Sequence, residues 1–271
     1  MAQPKHGNTR GILRPKTGEQ KFNLTRIPPS SLLSPFIEQY WMVSWNLMGE
    51  KPYVSETLPF PSVHIAIEKQ RPELYGVTTG RFTRTLKGCG RVFGVKFRPA
   101  GFYPFFRFSI SSLTDRTTSL REVFGAEGAT LRTLILRESD ENARVKHMEE
   151  FLTARLPKRD PLFEKIRDAV ERIEKDRSIT RVEQIASFLG ISMRPLQRKF
   201  DKYVGVSPKW IIQRYRLQEA AELLANGSPE ESVSEIALSL GYFDQAHFIR
   251  DFKKVIGTTP NAYAKKERLS Q

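Results

Sequence analysis

The stretch Ile-Ala-Leu-Ser-Leu-Gly at residues 236–241 repeats the stretch Ile-Ala-Ser-Phe-Leu-Gly at residues 185–190, 51 positions earlier in the chain. The repeat continues at an offset of 52, where the matched pairs are Leu196 with Phe248, Arg198 with Arg250, Phe200 with Phe252, Gly205 with Gly257 and Pro208 with Pro260. Each copy predicts a short amphipathic helix, a tight turn at the glycine and a second helix. This is the form of a helix-turn-helix unit. We therefore predict two units, at about residues 182–204 and 232–256.

One long helix is predicted between the units, at residues 207–225. This segment starts with Ser207-Pro208, a helix-start signal, and is followed by Asn226-Gly227, a helix-stop signal. About 19 residues at ~1.5 Å per residue span roughly 28 Å, which is close to the ~34 Å of one turn of duplex DNA. If this helix is rigid, its length allows the second helices of the two units to enter successive major grooves on one face of the duplex.

Positive charge is concentrated around the first unit. The chain has 44 Lys and Arg against 30 Asp and Glu, a net charge of +14, and residues 192–216 hold seven basic side chains against Asp201 alone. A basic helix-turn-helix region predicts double-stranded DNA as the partner, because the second helix of such a unit fits the major groove and reads base edges.

The outward positions of the two second helices are the candidate DNA contacts. They are Arg194, Gln197, Arg198, Lys199 and Lys202 in the first unit, and Gln245, Ala246, His247, Ile249, Arg250, Lys253 and Lys254 in the second. Arginine and glutamine form paired hydrogen bonds with guanine and adenine. We therefore expect the first unit to contribute more base-specific hydrogen bonds, and the second to rely on phosphates and thymine methyl groups.

The run at residues 241–263 reads Gly-Tyr-Phe-Asp-Gln-Ala-His-Phe-Ile-Arg-Asp-Phe-Lys-Lys-Val-Ile-Gly-Thr-Thr-Pro-Asn-Ala-Tyr. Through this run above all, residues 160–267 resemble the DNA-binding domain of the AraC/XylS family of bacterial transcription regulators. The resemblance implies that Arg194, Gln197 and Arg198 face the grooves, as do Gln245, Ala246, His247, Ile249 and Arg250. The chain has Ala246 and Ile249 where the family often has small polar residues, and Ala264 where it usually has Arg. We therefore expect the second unit to read sequence weakly.

The first half of the chain reads as β-rich. Residues 63–68 and 91–98 alternate or run apolar over strand lengths between Gly and Pro turns, and helical patches are expected only at residues 32–40 and 145–152. This predicts a small β-barrel of mixed strands whose aromatic side chains are mostly core, although they could enclose an apolar pocket for an unknown small-molecule effector. Residues 35–41 and 94–101 resemble a poorly characterised variety of the effector domains that the family fuses to its DNA-binding module.

A charged stretch bracketed by Pro157 and Pro161 predicts the domain boundary. We predict a flexible basic tail at residues 1–21, an effector or dimerisation domain at 22–156 and the DNA-binding domain at 157–271. The fold class is α+β multidomain, with a β-rich, sensor-like amino-terminal domain and an all-α carboxyl-terminal domain of two helix-turn-helix units joined by a long helix.

The expected function is regulation of transcription in the bacterial cytoplasm, as an activator or a repressor. A signal at the amino-terminal domain would change the occupancy of DNA half-sites. The expected partners are double-stranded DNA, a small-molecule effector, a second copy of the chain and RNA polymerase.

Other function classes are disfavoured by what the sequence lacks. Cys89 is the only cysteine, which excludes an intrachain disulfide framework and a Cys-based zinc module. Motifs of nucleotide-binding enzymes and hydrolases are absent, and neither His64 nor the pair His147 and Glu150 reads as a metal site. We expect no enzyme activity, no cofactor and no metal. No run of about 18 apolar residues occurs, so we expect a soluble protein without a membrane span.

Two alternatives remain open. A DNA-repair protein that carries the same helical module would need several clustered cysteines. A helical protein-interaction scaffold without a DNA partner would leave Arg194, Gln197 and Arg198 without a role, and their replacement by alanine would then change nothing on DNA.

Overall fold

The computed structural model describes residues 12–13, 21–158, 160–226 and 232–268. The predicted tail at residues 1–21 lies outside these ranges, apart from Lys21 and a short strand, β1 (Ile12–Leu13). In β1, Ile12 pairs with Thr57 and Leu13 pairs with Glu56. This part of the predicted tail therefore belongs to a sheet.

The described part of the first half folds into two sheets. The strands that follow β1 are β2 (Asn23–Ile27), β3 (Ile37–Leu47), β4 (Tyr53–Thr57), β5 (His64–Ile67), β6 (Leu74–Tyr75), β7 (Phe82–Leu86), β8 (Gly88–Phe97) and β9 (Thr117–Thr118). One sheet has the order β1-β4-β7, and the other has the order β2-β3-β8-β5-β6-β9. The β-rich prediction is confirmed. The expected mixture of parallel and antiparallel strands is wrong, because each of these pairings is antiparallel.

The helical patch predicted at residues 32–40 is wrong. Residues 31–36 form turns, and β3 begins at Ile37. Leu33, Ile37 and Tyr40 are buried at helical spacing, and the Ile37 N–H donates to the Leu33 carbonyl at 2.8 Å, so one helix-like turn does exist. It does not propagate, because β3 is hydrogen-bonded on both sides, to β2 and to β8. Ladder bonds to two distant strands therefore outweigh the local helical pattern.

Helices cover the outer face of the larger sheet. They are α1 (Tyr103–Phe106), α2 (Leu120–Arg137) and α3 (Glu141–Thr153), with a 3₁₀ turn at Ile110–Leu113. The helix predicted around residues 145–152 is confirmed by α3. The Tyr40 hydroxyl donates to the Glu149 carboxylate at 2.9 Å and thereby ties α3 to the sheet.

The second half is helical throughout its described residues, as predicted. Its helices are α4 (Pro161–Lys175), α5 (Val182–Leu189), α6 (Met193–Tyr203), α7 (Pro208–Asn226), α8 (Val233–Ser239), α9 (Gln245–Ile256) and α10 (Pro260–Arg268). The two predicted helix-turn-helix units correspond to α5 with α6 and to α8 with α9. The predicted connector corresponds to α7 within one residue at each end.

Two clusters of buried apolar side chains hold the protein together. The first hydrophobic cluster runs from Leu33 in the first half to Ile212 on α7 and includes both sheet and helix residues. The Phe36 and Phe163 rings stack within it, with centroids 5.2 Å apart, although they lie on opposite sides of residue 157. The second hydrophobic cluster surrounds Phe248 and Phe252 in the second unit and includes Leu58 from the first half. Both clusters therefore join the β-rich and helical parts.

Candidate nucleic-acid interface and ligand cavity

The turn of the first helix-turn-helix unit is held by its glycine. Gly190 has φ of 65°, in the left-handed region, and its N–H donates to the Ser187 carbonyl at 3.1 Å. The Ile191 N–H donates to the Ala186 carbonyl at 3.1 Å. Glycine reaches this conformation without the steric cost that a Cβ adds. The turn ends α5 and sets α6 against it.

The helix α6 divides into a buried face and an exposed face. Leu196, Phe200 and Tyr203 are buried. Of the predicted contact residues in this unit, Arg194, Gln197, Arg198 and Lys202 are exposed and Lys199 is half-buried. Within the described residues, the Arg194, Gln197 and Arg198 side chains form neither a hydrogen bond nor an ion pair. Their donors are available to a partner.

The second unit repeats this construction. Gly241 has φ of 73°, and the Tyr242 N–H donates to the Ala237 carbonyl at 2.9 Å. The Asp244 carboxylate caps α9 by accepting from the His247 N–H at 2.7 Å. Phe248, Phe252 and Ile256 form the buried face of α9. The predicted contact residues that are exposed on this helix are Gln245, Ala246, His247, Arg250, Lys253 and Lys254.

Two residues near α9 differ from the sequence prediction. Ile249, predicted to point outward, is half-buried and packs against the second hydrophobic cluster. It lies one position from Phe248 and therefore borders the buried face. Phe243, which the sequence prediction did not include, is 97% exposed in the turn before α9. Its signal was an aromatic residue between the turn glycine and the helix cap, which is an unfavourable place to leave apolar surface in water.

Of the basic run at 192–216, Arg214 is buried and Arg216 is half-buried. Arg214 on α7 is 2% exposed, and its Nε donates to the Pro59 carbonyl at 2.6 Å. The Arg216 Nε donates to the Leu240 carbonyl at 2.5 Å and holds the turn of the second unit on α7. Burial lowers the pKa of both guanidinium groups. The positive surface of the first unit is therefore smaller than the sequence indicates.

The β-rich half contacts the carboxyl-terminal end of α6. The Thr114 hydroxyl donates to the Gly205 carbonyl at 2.7 Å, and the Ser109 hydroxyl donates to the Asp201 carbonyl at 3.1 Å. The Tyr103 and Tyr203 ring centroids are 4.1 Å apart. Arg194 lies at the other end of α6, so these contacts leave the amino-terminal part of the helix exposed.

A cavity of about 290 Å³ lies between the two sheets, and we call it the inter-sheet cavity. Strands β2, β3, β5 and β8 of the larger sheet and strands β4 and β7 of the smaller one contribute lining residues. The aromatic residues of the first half divide accordingly. Phe93, Phe97 and Phe102 are buried in the first hydrophobic cluster, as expected for core residues, whereas Trp41, Trp45, Phe60 and Phe82 line the cavity.

His64 and Lys96 bring polar atoms to this cavity. They are directly opposite each other on β5 and β8. Burial, and then the charge of Lys96, lower the pKa of His64 to about 3, so its imidazole is neutral. Burial also lowers the pKa of Lys96, while its ion pair with Glu38 at 2.9 Å opposes this shift. His64 was not expected to have a functional role from the sequence.

The described residues hold neither a metal-binding cluster nor a helix suited to cross a membrane. No cluster of three or more His, Cys, Asp or Glu side chains suited to a metal ion is present among them. None of the helices in these ranges combines the length and the hydropathy that crossing a membrane requires.

The two halves of the chain match different families of known proteins. Residues 185–266 match a family model described as a helix-turn-helix domain, and residues 25–119 match one described as a domain of unknown function, DUF6597. An uncharacterised HTH-type transcriptional regulator of Haemophilus influenzae is 36% identical over 88 residues, which are 32% of this chain and 29% of that protein. The HTH-type transcriptional regulator MtrA of Neisseria gonorrhoeae is 33% identical over 93 residues, which are 34% and 30% of the two chains.

Each of these similarities to a curated relative extends over about a third of this chain. The chain spans about three tenths of the length of the two relatives named above. Among solved structures, a probable AraC family transcriptional regulator from Rhodopseudomonas palustris is 31% identical, and the match covers 38% of this chain and 97% of that one with a TM-score of 0.35.

Proposed function

We propose that this chain is a regulator of the AraC/XylS type, which binds specific duplex DNA and regulates transcription in the bacterial cytoplasm, because its carboxyl-terminal region matches a helix-turn-helix domain model and is similar to HTH-type transcriptional regulators. The observation that carries the proposal is the repeated unit itself. In both copies an exposed basic face lies on the second helix, opposite a buried apolar face, and a glycine turn sets that helix against the first. This arrangement leaves one helix per unit available for a major groove.

Arg194, Gln197 and Arg198 read base edges, and Lys199 and Lys202 bind phosphates. In the second unit Gln245, His247, Arg250, Lys253 and Lys254 take part, together with Ile249 through its exposed edge. The Asp251 carboxylate lies 3.2 Å from the His247 imidazole, which supports weaker anion binding there than on α6.

We assign residues 157–271 to DNA binding and residues 22–156 to control by a signal. Contacts between the two regions support this assignment. Tyr103, Ser109 and Thr114 contact the carboxyl-terminal end of α6. The Pro59 carbonyl accepts a hydrogen bond from Arg214 on α7. A change in the β-rich domain would reach both the first recognition helix and the connector. A small-molecule effector, a second copy of the chain and RNA polymerase are the further partners proposed, with either activation or repression as the outcome.

The test is DNA binding by the full-length protein, measured by fluorescence anisotropy on duplexes that tile the region upstream of its gene. We expect one duplex to be preferred, and we expect Arg198→Ala to weaken binding to that duplex by about 1–3 kcal/mol, because a bidentate contact with a base edge is lost. Affinity should also fall steeply with salt, since phosphate contacts release counterions.

Arg121→Ala is the matched control, because Arg121 is an exposed arginine on α2, outside both units. It should leave the affinity for the preferred duplex unchanged. Equal binding to every duplex, with no difference between Arg198→Ala and Arg121→Ala, would contradict the proposal and favour a helical scaffold with a generic basic surface.

A further inference from the structure

The inter-sheet cavity exists because side chains on alternate positions of several strands point into it. On β3 these positions are Gln39, Trp41, Val43 and Trp45, and on the chain leading through β5 they are Ser62, His64, Ala66 and Glu68. The intervening residues of the same strands, such as Met42 and Ile65, are buried on the other side of the sheet. The alternation makes the larger sheet two-sided, with a closed core on one face and a cavity on the other.

Two glycines give the cavity a flat aromatic wall. Gly94 lies opposite Trp41 and Gly90 lies opposite Trp45 in the pairing of β3 with β8. A Cβ at either glycine would overlap the indole of its partner tryptophan. Both indoles therefore lie directly over the backbone of β8, where they present planar apolar surface to the cavity. Such a surface fits a flat apolar molecule.

Polar groups gather at one part of the lining. The Ser62 hydroxyl is buried and has no hydrogen-bond partner in the described residues. His64, two residues after Ser62, also lines the cavity, and Lys96 lies opposite His64 on β8. The Lys96 ammonium has three donors and gives one to Glu38, a residue that is not part of the lining. A buried unpartnered hydroxyl, a neutral imidazole and an ammonium together offer hydrogen-bond donors to an acidic group.

The charges of the lining favour an anion over a cation. Arg26, Arg84 and Lys96 contribute positive charge, whereas Glu68 is the acidic residue in the lining and is paired with Arg84 at 2.5 Å. Aromatic walls can also hold organic cations. Here, however, the Lys96 ammonium lies 3.4 Å and the Arg214 guanidinium carbon 4.3 Å from the centroid of the Phe60 ring, so a cationic ligand would meet like charges at that wall.

We propose that the inter-sheet cavity binds a small organic anion, in which a flat apolar body lies on Trp41 and Trp45 and a carboxylate accepts hydrogen bonds from Lys96, Ser62 and His64. The volume of about 290 Å³ is at the low end of the range for small-molecule sites, so one compact molecule fills it. The site is the effector site of the regulator, and in that role it rests on the function proposed above.

Phe60 connects this site to the connector helix. Its ring lines the cavity next to Lys96, and the Arg214 guanidinium carbon on α7 lies 4.3 Å from the centroid of the same ring. The neighbouring Pro59 carbonyl accepts the hydrogen bond from Arg214. An anion that draws Lys96 away from Phe60 would change the packing around Arg214, and hence around the helix that joins the two DNA-binding units.

The test is isothermal titration calorimetry of the full-length protein, without DNA, against three probes of the same shape. The probes are 2-naphthoate, the neutral 2-naphthamide and the cationic 2-naphthylmethylamine. We expect the carboxylate to bind at least about tenfold more tightly than the other two, since a charge-assisted hydrogen bond is stronger than a neutral one. In Lys96→Met this preference should fall below about threefold.

Lys51→Met, at an exposed lysine in the turn between β3 and β4, is the matched control and should keep the full preference. If Lys96→Met does not give the circular dichroism spectrum of the folded protein, Ser62→Ala takes its place, with a smaller expected loss of carboxylate affinity. Binding of the amide or the amine as tightly as the carboxylate, absence of binding for all three probes, or a Lys96→Met or Ser62→Ala variant that binds naphthoate like wild type would overturn the proposal.

Failure of this proposal and failure of the proposed function are distinguishable. The calorimetry contains no DNA, and the anisotropy measurement contains no probe. Loss of naphthoate selectivity with intact sequence-specific DNA binding rejects the effector chemistry alone. Selective naphthoate binding without sequence-specific DNA binding rejects the regulatory function and leaves the anion site in place.

Discussion

Single residues decide how the two halves of this protein are joined. Arg214 carries a positive charge into the interior, where one donor is used by the Pro59 carbonyl and where the Phe60 and Tyr215 rings lie 4.3 and 4.6 Å from the guanidinium carbon. Its two terminal nitrogens are buried without a hydrogen-bond partner in the described residues. Burying a guanidinium in this way is costly, so its aromatic neighbours and the single hydrogen bond must offset a desolvation penalty.

Arg214→Ala should lower the free energy of unfolding by about 2–4 kcal/mol, because it leaves a cavity and an unpaired Pro59 carbonyl in the interior. Arg214→Met keeps most of the volume and should cost less. Urea denaturation of the full-length protein measures both, and the exposed Arg121→Ala, expected to change stability by less than about 0.5 kcal/mol, is the control. Equal stability of Arg214→Ala and Arg121→Ala would mean that this contact does not hold α7 to the β-rich half.

At the scale of secondary-structure elements, left-handed glycines end the helices at corresponding places in the two copies of the repeat. Gly190 and Gly241 follow the first helices, and Gly205 and Gly257 follow the second helices. Their surroundings differ. A Cβ at Gly190 would meet no atom within 4 Å, whereas one at Gly205 would lie 2.8 Å from Ile110 Cγ2 and 2.9 Å from Thr114 Oγ1. Gly205 therefore has two roles. Its left-handed φ allows the chain to turn at the end of α6, and its lack of a Cβ allows the β-rich half to approach closely.

Because of this difference, replacing the two glycines by alanine should lower the free energy of unfolding by different amounts. Gly190→Ala should lower stability by about 1 kcal/mol through backbone strain alone. Gly205→Ala adds overlap with Ile110 and Thr114 and should cost about 2–4 kcal/mol. Thermal and urea unfolding of the two variants provide the comparison. A Gly205→Ala variant as stable as Gly190→Ala would show that the 3₁₀ turn at Ile110–Leu113 yields without cost and does not clamp α6.

At the scale of the whole molecule, the β-rich and helical parts share their cores. The first hydrophobic cluster crosses residue 157, and Leu58 enters the second hydrophobic cluster around Phe248 and Phe252. Parts that bury apolar surface against each other lose that stabilisation together when one of them unfolds. A signal that alters packing in the β-rich part therefore has a direct physical route to the helical part.

The shared core predicts one cooperative unfolding transition. Two of the three tryptophans, Trp41 and Trp45, lie in the β-rich half and the third, Trp210, lies on α7, so tryptophan fluorescence reports mainly on the β-rich half, while circular dichroism at 222 nm reports mainly on the helices. The two urea transitions of the full-length protein should coincide. Separate midpoints would mean that the halves unfold independently, and that the contacts at Phe36 and Leu58 contribute little to stability.

Much of the helical half could be predicted from the sequence. Ile185 of α5 and Ile236 of α8 are buried at corresponding positions of the two helices. The glycines that follow these helices have the left-handed φ that the repeat indicated. These features depend on residues within a few positions of one another, since helical periodicity and turn conformation are local properties of the chain. For this reason the limits of both units and of the connector were predicted closely.

Other features were decided only by tertiary structure. Residues 37–40 have helical spacing yet form a strand, because β2 and β8 supply its hydrogen bonds. Arg214 lies in a basic run yet is buried, because Pro59 and Phe60 reach it across 155 residues of sequence. The inter-sheet cavity likewise depends on glycines of β8 lying opposite tryptophans of β3. The sequence by itself determined the repeat, its turns and its exposed basic helices, whereas the cavity and the coupling of the two halves arise from contacts between distant residues that no local pattern specifies.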